Sequence, residues 1–563
     1  MNGVRRTTAG FDPERRELLW RMAGLGALLG APAHLPGQGQ PARGCQQWAE
    51  YFYERPMPDC RGKQSFFENP IPQRLVVAEP LRPGQNCQPY DIRAFGARGD
   101  GKALDTPAIN RAIEAAAAKG GAVYFPAGTY LCFSIRLASN VTLYLDHGAT
   151  IAGARPKEHG GGYDTAKPGQ RNALIWGDEL DNVSILGPGL LWGQGLTRGR
   201  GGEDETAEGM GNATISLWKC RRVTLRDIAI LHGGHIAVRA TGTDNLTIDN
   251  ILIDTNRDAI NIDACHNVRI ANCTINSPWD DAIAPKSSSA LGYARATEGL
   301  TITNCFLTGG YHEGTVLNGT WKEFEPGDSV LRVGRIKFGT GSIVGFKNIT
   351  ISNCVLKKSG GVLLESVDGA LLEDVTITNL SMSEVSDAPL FLRLGRRMHG
   401  PAGLPIGRVR RINVSDIVAS GTAGRYGSIL SGIPGHPIED VQLSNIHIQS
   451  RGGGSPAEAA VDLPEMEADY PEPSHFGTTP AYGFYVRHVR GLKMSHIVLE
   501  HLKADARPAF VFNDVQGVEL LGLKAQVSPG ATAVSVRNAR DFHLNLSPPL
   551  GDRHFDAVDE SRL

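Results

Sequence analysis

The stretch "NSPWDDAIAPKS", residues 276–287, sets Asp280 and Asp281 side by side, with Lys286 five residues beyond the second. Shortly before it, "NRDAINID" carries Asp258 and Asp263, and Asp258 precedes Asp280 by 22 residues. Carboxylates held close together resist joint ionisation, so at least one keeps its proton to unusually high pH. A protonated acid beside ionised partners can protonate a leaving glycosidic oxygen while the partners activate water. The same acids also suit Asx turns, or a calcium ion serving a lyase base. Spacing alone leaves all three readings open.

Convergence of these acids requires elements that bring residue 258 beside residue 280. The chain repeats one phrase: "NVSILG" at 182, "RVTLRDIAI" at 222, "NLTIDNILI" at 245, "NVRIANCTI" at 267, "LTITNCFL" at 300, "NITISNCVL" at 348, "DVTITNLSM" at 374 and "DVQLSNIHI" at 440. Each is an alternating, β-branched run broken by a polar residue. Val223 to Leu246 is 23 residues and Leu246 to Val268 is 22, about one coil of a solenoid. One coil cannot bury its apolar face, whereas stacked coils can. A β-sandwich would not place similar phrases, with cysteines at one phase, at this regular interval. The fold class expected is all-β, a right-handed parallel β-helix. Equivalent positions on neighbouring coils then lie roughly 4.8 Å apart, which gathers Asp258, Asp280 and Asp281 on one patch. The recurring Asn fits a left-handed turn or a side-chain ladder.

Ahead of the coils, "DTPAINRAIEAAAAKGG" has an N-cap candidate at Asp105 or Thr106, helical periodicity and a Gly stop. This N-terminal capping helix would cover the open end of the solenoid. Longer segments break the rhythm at 154–172, 196–212, 317–341 and 453–480. Solenoid insertions gather on one face and often build the binding site, and the last, rich in aromatics, Pro and acid, could wall off one end of a groove. Around the acids, His235, Lys286, Tyr311, His312, Glu313, Arg335 and Lys337 are candidates to hold a carboxylated sugar.

The remaining composition narrows the classes. With 563 residues, 21% charged and a net charge of -2, the chain has no general basic field for nucleic acid. "ERRELLWRMAGLGALLG" pairs Arg15 and Arg16 with an apolar run too short to span a bilayer as an anchor. It reads as a twin-arginine export signal, for a periplasmic or secreted product without a stable membrane span. Of nine cysteines, Cys265, Cys273, Cys305 and Cys354 read as stacked core thiols, since no CxxC pair exists to make a metal set. The expected organisation is a signal at 1–38, an N-terminal extension at 39–89, the β-helix catalytic domain at 90–545 and a polar tail at 546–563.

"SNVTLYLDHGATI", "NVSILGPGLLWGQG", "DTNRDAINIDACHNVRIANCTINSPWDDAIAPKS" and "GGVLLESVDGALLEDVTITNLSM" together resemble the polygalacturonase-like family, glycoside hydrolase family 28, over roughly residues 90–520. The resemblance implies a parallel β-helix that hydrolyses pectic glycans with inversion and without a cofactor or metal. It carries the general acid onto Asp280, water activation onto Asp281 and Asp258, and the family lysine onto Lys286. The Gly-His-Gly motif is altered: "GGYHEG" puts Tyr311 at the expected place and His312 one residue on. The family's Arg-x-Lys grip falls in "GGVLLES", which has no basic residue, while the literal "RIK" at 335–337 falls in an earlier coil. The acidic machinery is thus retained while recognition has drifted. The expected partner is an acidic pectic poly- or oligosaccharide, cut in exo fashion if the insertions close one end. A β-helical polysaccharide lyase, or a carbohydrate-binding β-helix without turnover, are the alternatives.

Overall fold

The alternating runs are strands because β-branched side chains suit a pleated surface whose two faces differ. In the computed structural model, which describes residues 89–165, 170–197, 207–548 and 550–563, each run pairs in parallel with the next one along the chain. Val223 lies opposite Leu246, Leu246 opposite Val268, Val268 opposite Leu300, Leu300 opposite Ile349 and Ile349 opposite Val375. All six are buried, so the coil-to-coil register is the register of the core. The result is the expected right-handed parallel β-helix.

The Asn between runs does both jobs anticipated for it. Asn250, Asn272, Asn304, Asn353 and Asn379 all have φ between 51° and 59°, the left-handed region that Asn tolerates better than most residues. Their side chains also bond from coil to coil: Asn272 donates to Asp249 at 2.7 Å and Asn379 to Asn353 at 2.7 Å. Cys265, Cys273, Cys305 and Cys354 are buried free thiols.

Helix Thr106–Ala117 lays Ile109, Ala112, Ile113 and Ala116 on the first coils. Asp105 occupies its N-cap position but does not cap it; the carboxylate accepts from the backbone N–H of Arg98 and Gly99 instead. At the other end the polar segment after 545 contains a strand, Arg553–Arg562. It runs antiparallel to Val534–Asn545, ending the parallel progression. The export segment, the N-terminal extension and Cys45, Cys60 and Cys87 lie outside the described residues. Among the described residues no helix is long and apolar enough to cross a membrane.

Candidate active site

Strand Asp258–Asp263 pairs with Ile283–Lys286, which pairs with Ile336–Phe338, which pairs with Val362–Ser366. This register brings Asp258 to the turn that carries Asp280 and Asp281, and one oxygen from each of the three carboxylates lies within 4.8 Å of the others. The turn is pinned from below: Ser277 Oγ donates to the carbonyls of Arg257 at 2.7 Å and Asp280 at 3.0 Å. The N–H of Asp281 donates to Asp280 Oδ1 at 3.1 Å. The returning 317–341 segment adds a third brace, Gly334 N–H to the Asp280 carbonyl at 3.1 Å.

The three acids sit in different fields. Asp258 is buried, which opposes ionisation, but Lys286 Nζ at 3.3 Å and the Asn261 amide at 2.9 Å outweigh that and hold it at about 2. Asp280 is pushed up to about 8, first by burial and then by the charges of Asp258 and Asp281; the Arg257 guanidinium, 2.8 Å away, offsets only part of this. Asp281 is also raised, by burial working against Arg335, whose Nε lies 2.7 Å from its Oδ1. One acid therefore keeps its proton at neutral pH beside a partner that is fully ionised.

Among the candidate binding residues, Lys286 belongs to the cluster and His235 borders it, with its Nε2 3.4 Å from Arg257. Arg335 and Lys337 are adjacent as well, but both are covered. Glu472, from the 453–480 insertion, takes Arg335 through both oxygens at 2.8 and 2.6 Å, and takes Lys337 at 2.8 Å. Tyr470 lies over Lys337 with its ring centroid 4.5 Å from Nζ. Tyr311 and His312 pack against the 317–341 insertion, on Trp321 and Phe324. Tyr311 is buried, its hydroxyl accepting from Lys357 at 2.9 Å, and His312 packs on Phe324. Glu313 reaches back to His232 at 3.8 Å.

The insertion is fastened from beneath. Arg393 and Arg487, both buried, donate to the carbonyls of Glu465, Met466, Leu463 and Pro464 at 2.7–2.9 Å. Leu463 and Phe476 pack on Leu363, Phe391, Ile429 and Tyr485. Arg257, Asn261 and Glu472 are site residues that pattern reading missed. Arg257 and Asn261 flank Asp258 in a quoted motif, whereas nothing local ties Glu472 to Arg335, 137 residues earlier.

Comparison with known proteins agrees with this geometry. The family model described as "Glycosyl hydrolases family 28" matches residues 129–314, which include all three aspartates, and "Rhamnogalacturonase A/epimerase, pectate lyase-like" matches residues 90–158. A "Probable polygalacturonase" of Vitis vinifera is 26% identical over 392 residues, 63% of this chain and 73% of its own. Two solved structures share the fold. The Yersinia enterocolitica family 28 exopolygalacturonase has a TM-score of 0.57 at 17% identity, covering 78% of this chain and 79% of that one. The Thermotoga maritima exopolygalacturonase has a TM-score of 0.51 at 20% identity, covering 64% and 86%. Residues 129–314 thus match glycoside hydrolase family 28, and the chain is similar to a polygalacturonase and shares the coil architecture of two exopolygalacturonases.

Proposed function

We propose that the protein hydrolyses glycosidic bonds in galacturonic-acid-containing pectic glycans. One observation carries the reading: Asp280, pushed up to about 8, stands beside Asp258, held at about 2, within the family-matched segment. Asp280 is then the general acid that protonates the leaving oxygen, and Asp258 and Asp281 orient and activate the attacking water. Lys286 keeps Asp258 ionised through the cycle. The 453–480 wall, resting on Arg335 beside Asp281, supports exo action, because a chain laid along the sheet meets Glu472 as soon as it passes the acids. Export by the twin-arginine segment, supported by Arg15, Arg16 and the short apolar run that follows, would place the activity where such glycans occur.

The test is digestion of a panel of pectic polysaccharides and oligosaccharides, followed by mass spectrometry and ultraviolet absorbance. Saturated products, single sugars from the first time point, and a loss of about 10²–10⁴-fold in Asp280→Asn are expected. Unsaturated, absorbing products would make the protein a lyase, and binding without turnover would make it a scaffold. Inversion is the outcome the resemblance implies. A spacing within 4.8 Å is tighter than the roughly 6.5–9.5 Å that usually leaves water between two carboxylates. Proton NMR of the first-formed anomer decides the point.

A further inference from the structure

The antiparallel strand Arg553–Arg562 is thinly held. None of its ten residues is buried, and Phe555 and Val558 are only partly covered where they pack against the core. Along its pairing with Val534–Asn545 two histidines meet. His543 lies directly opposite His554, with ring centroids 4.1 Å apart. The pair lies outside both family-matched segments.

The hydrogen bonds of the two rings fix their tautomers. His543 Nε2 is 2.9 Å from Asp541 Oδ1, and His554 Nε2 is 2.9 Å from Asp556 Oδ1. An ionised carboxylate only accepts, so each Nε2 carries its ring's proton. In a neutral imidazole the other nitrogen is then a bare lone pair. These two lone pairs face each other, with His543 Nδ1 and His554 Nδ1 2.7 Å apart. Two acceptors at that distance repel unless a cation stands between them. A shared proton does this by making one ring an imidazolium, whereas a metal ion serves both rings in their neutral form. A carboxylate behind the ring is also the partner that orients a metal-bound histidine and raises its basicity. A Zn²⁺ with bonds of about 2.0–2.1 Å holds two nitrogens about 3.3 Å apart at a tetrahedral angle. The rings reach that by parting through about 0.6 Å, and their side chains are 34% and 54% exposed.

We propose that His543 and His554 form a binding site for a divalent transition cation of the kind imidazole selects, Zn²⁺, Ni²⁺ or Cu²⁺, and that the ion clips the antiparallel strand to the coil it pairs with. Glu519, in register with His543 on the coil before, is the next acid along the row, but Lys493 engages it at 3.1 Å. The protein ligands are therefore the two histidines, and water fills the other positions. The ion takes no part in the glycosidic chemistry. It binds only while the two strands are paired, so it stabilises that pairing by mass action and keeps the edge of the stack covered.

The experiment uses the full-length, untagged protein stripped of metal with a chelator. Zn²⁺ is titrated by calorimetry, and amide exchange is followed by mass spectrometry with and without the ion. The wild type is expected to bind one equivalent more than His543→Gln or His554→Gln, and as much as His447→Gln, a half-exposed histidine elsewhere. At free Zn²⁺ of about ten times Kd, exchange in Arg553–Arg562 is expected to slow about ten-fold, and in neither site variant. Equal binding by the wild type and both site variants overturns the proposal. So does a failure of Zn²⁺, Ni²⁺ and Cu²⁺ alike to bind, which leaves the shared proton. Binding that depends on both histidines but does not slow exchange refutes the clip. If the variants do not fold, the wild type decides: an exchange rate in Arg553–Arg562 that Zn²⁺ leaves unchanged refutes the site.

Discussion

Asp280 holds its proton because burial and two neighbouring carboxylates outweigh Arg257, 2.8 Å away. The sign of the pH dependence follows. The acid works when protonated, so kcat/KM falls on the alkaline side of about 8. On the acid side Asp258 stays ionised down to about 2, so the limb belongs to Asp281, which titrates above its ordinary 3.8. Removing the Arg257 charge takes away the guanidinium, 2.8 Å off, that opposes the rise of Asp280. Arg257→Met is therefore expected to move the alkaline limb upward by about one unit or more, read from a pH–rate profile. A limb that stays in place would mean that Arg257 serves the fold rather than the acid.

The elements decide how firmly that constellation is held. Asn272 sits at φ 59° and donates to Asp249 at 2.7 Å, in the turn between two strands of the coil that leads into Asp280. Asn272→Ala is expected to lose about 1–2 kcal/mol, because Ala keeps the cost of a left-handed Cβ without the side-chain hydrogen bond that lets Asn bear it. Asn272→Gly keeps the turn and loses less, and denaturant midpoints of the two variants make the comparison. The 453–480 wall has a different dependence. Burial opposes the charge of Glu472, yet Arg335 and Lys337 hold it at about 2, below its ordinary 4.5. Its contribution is therefore complete above 4.5 and disappears as pH falls towards 2. Hydrogen exchange around Tyr470–Phe476 is expected to speed up over that window before the coils open.

For the molecule as a whole, each coil leans only on its neighbours, so the ends matter more than in a globular core. Ile109, fully buried on the inward face of the capping helix, covers the first coil. Ile109→Ala is expected to cost about 2–5 kcal/mol. Exchange protection should fall first near the helix and last near the aspartates, because opening spreads coil by coil. Uniform loss of protection would show that the solenoid opens as one unit.

Much of this was legible in the chain. A parallel β-helix follows from runs returning at 22 and 23 residues, and the same interval predicts that Asp258 meets Asp280, because stacking converts a sequence period into a spatial neighbour. The turn role of Asn and the buried thiols were readable for the same reason. Charge partners across long loops were not. "RIK" reads locally as a basic patch, and nothing near it announces that Glu472, 137 residues on from Arg335, has taken that charge. Tyr311 stands where a motif would put it and His312 one residue on, and the packing of both on the 317–341 insertion is set by tertiary structure. The periodic pattern determined the scaffold and the meeting of the acids. Tertiary structure alone decided which charges remain open to a substrate, because burial and ion pairing depend on what an insertion covers, and no local period records that.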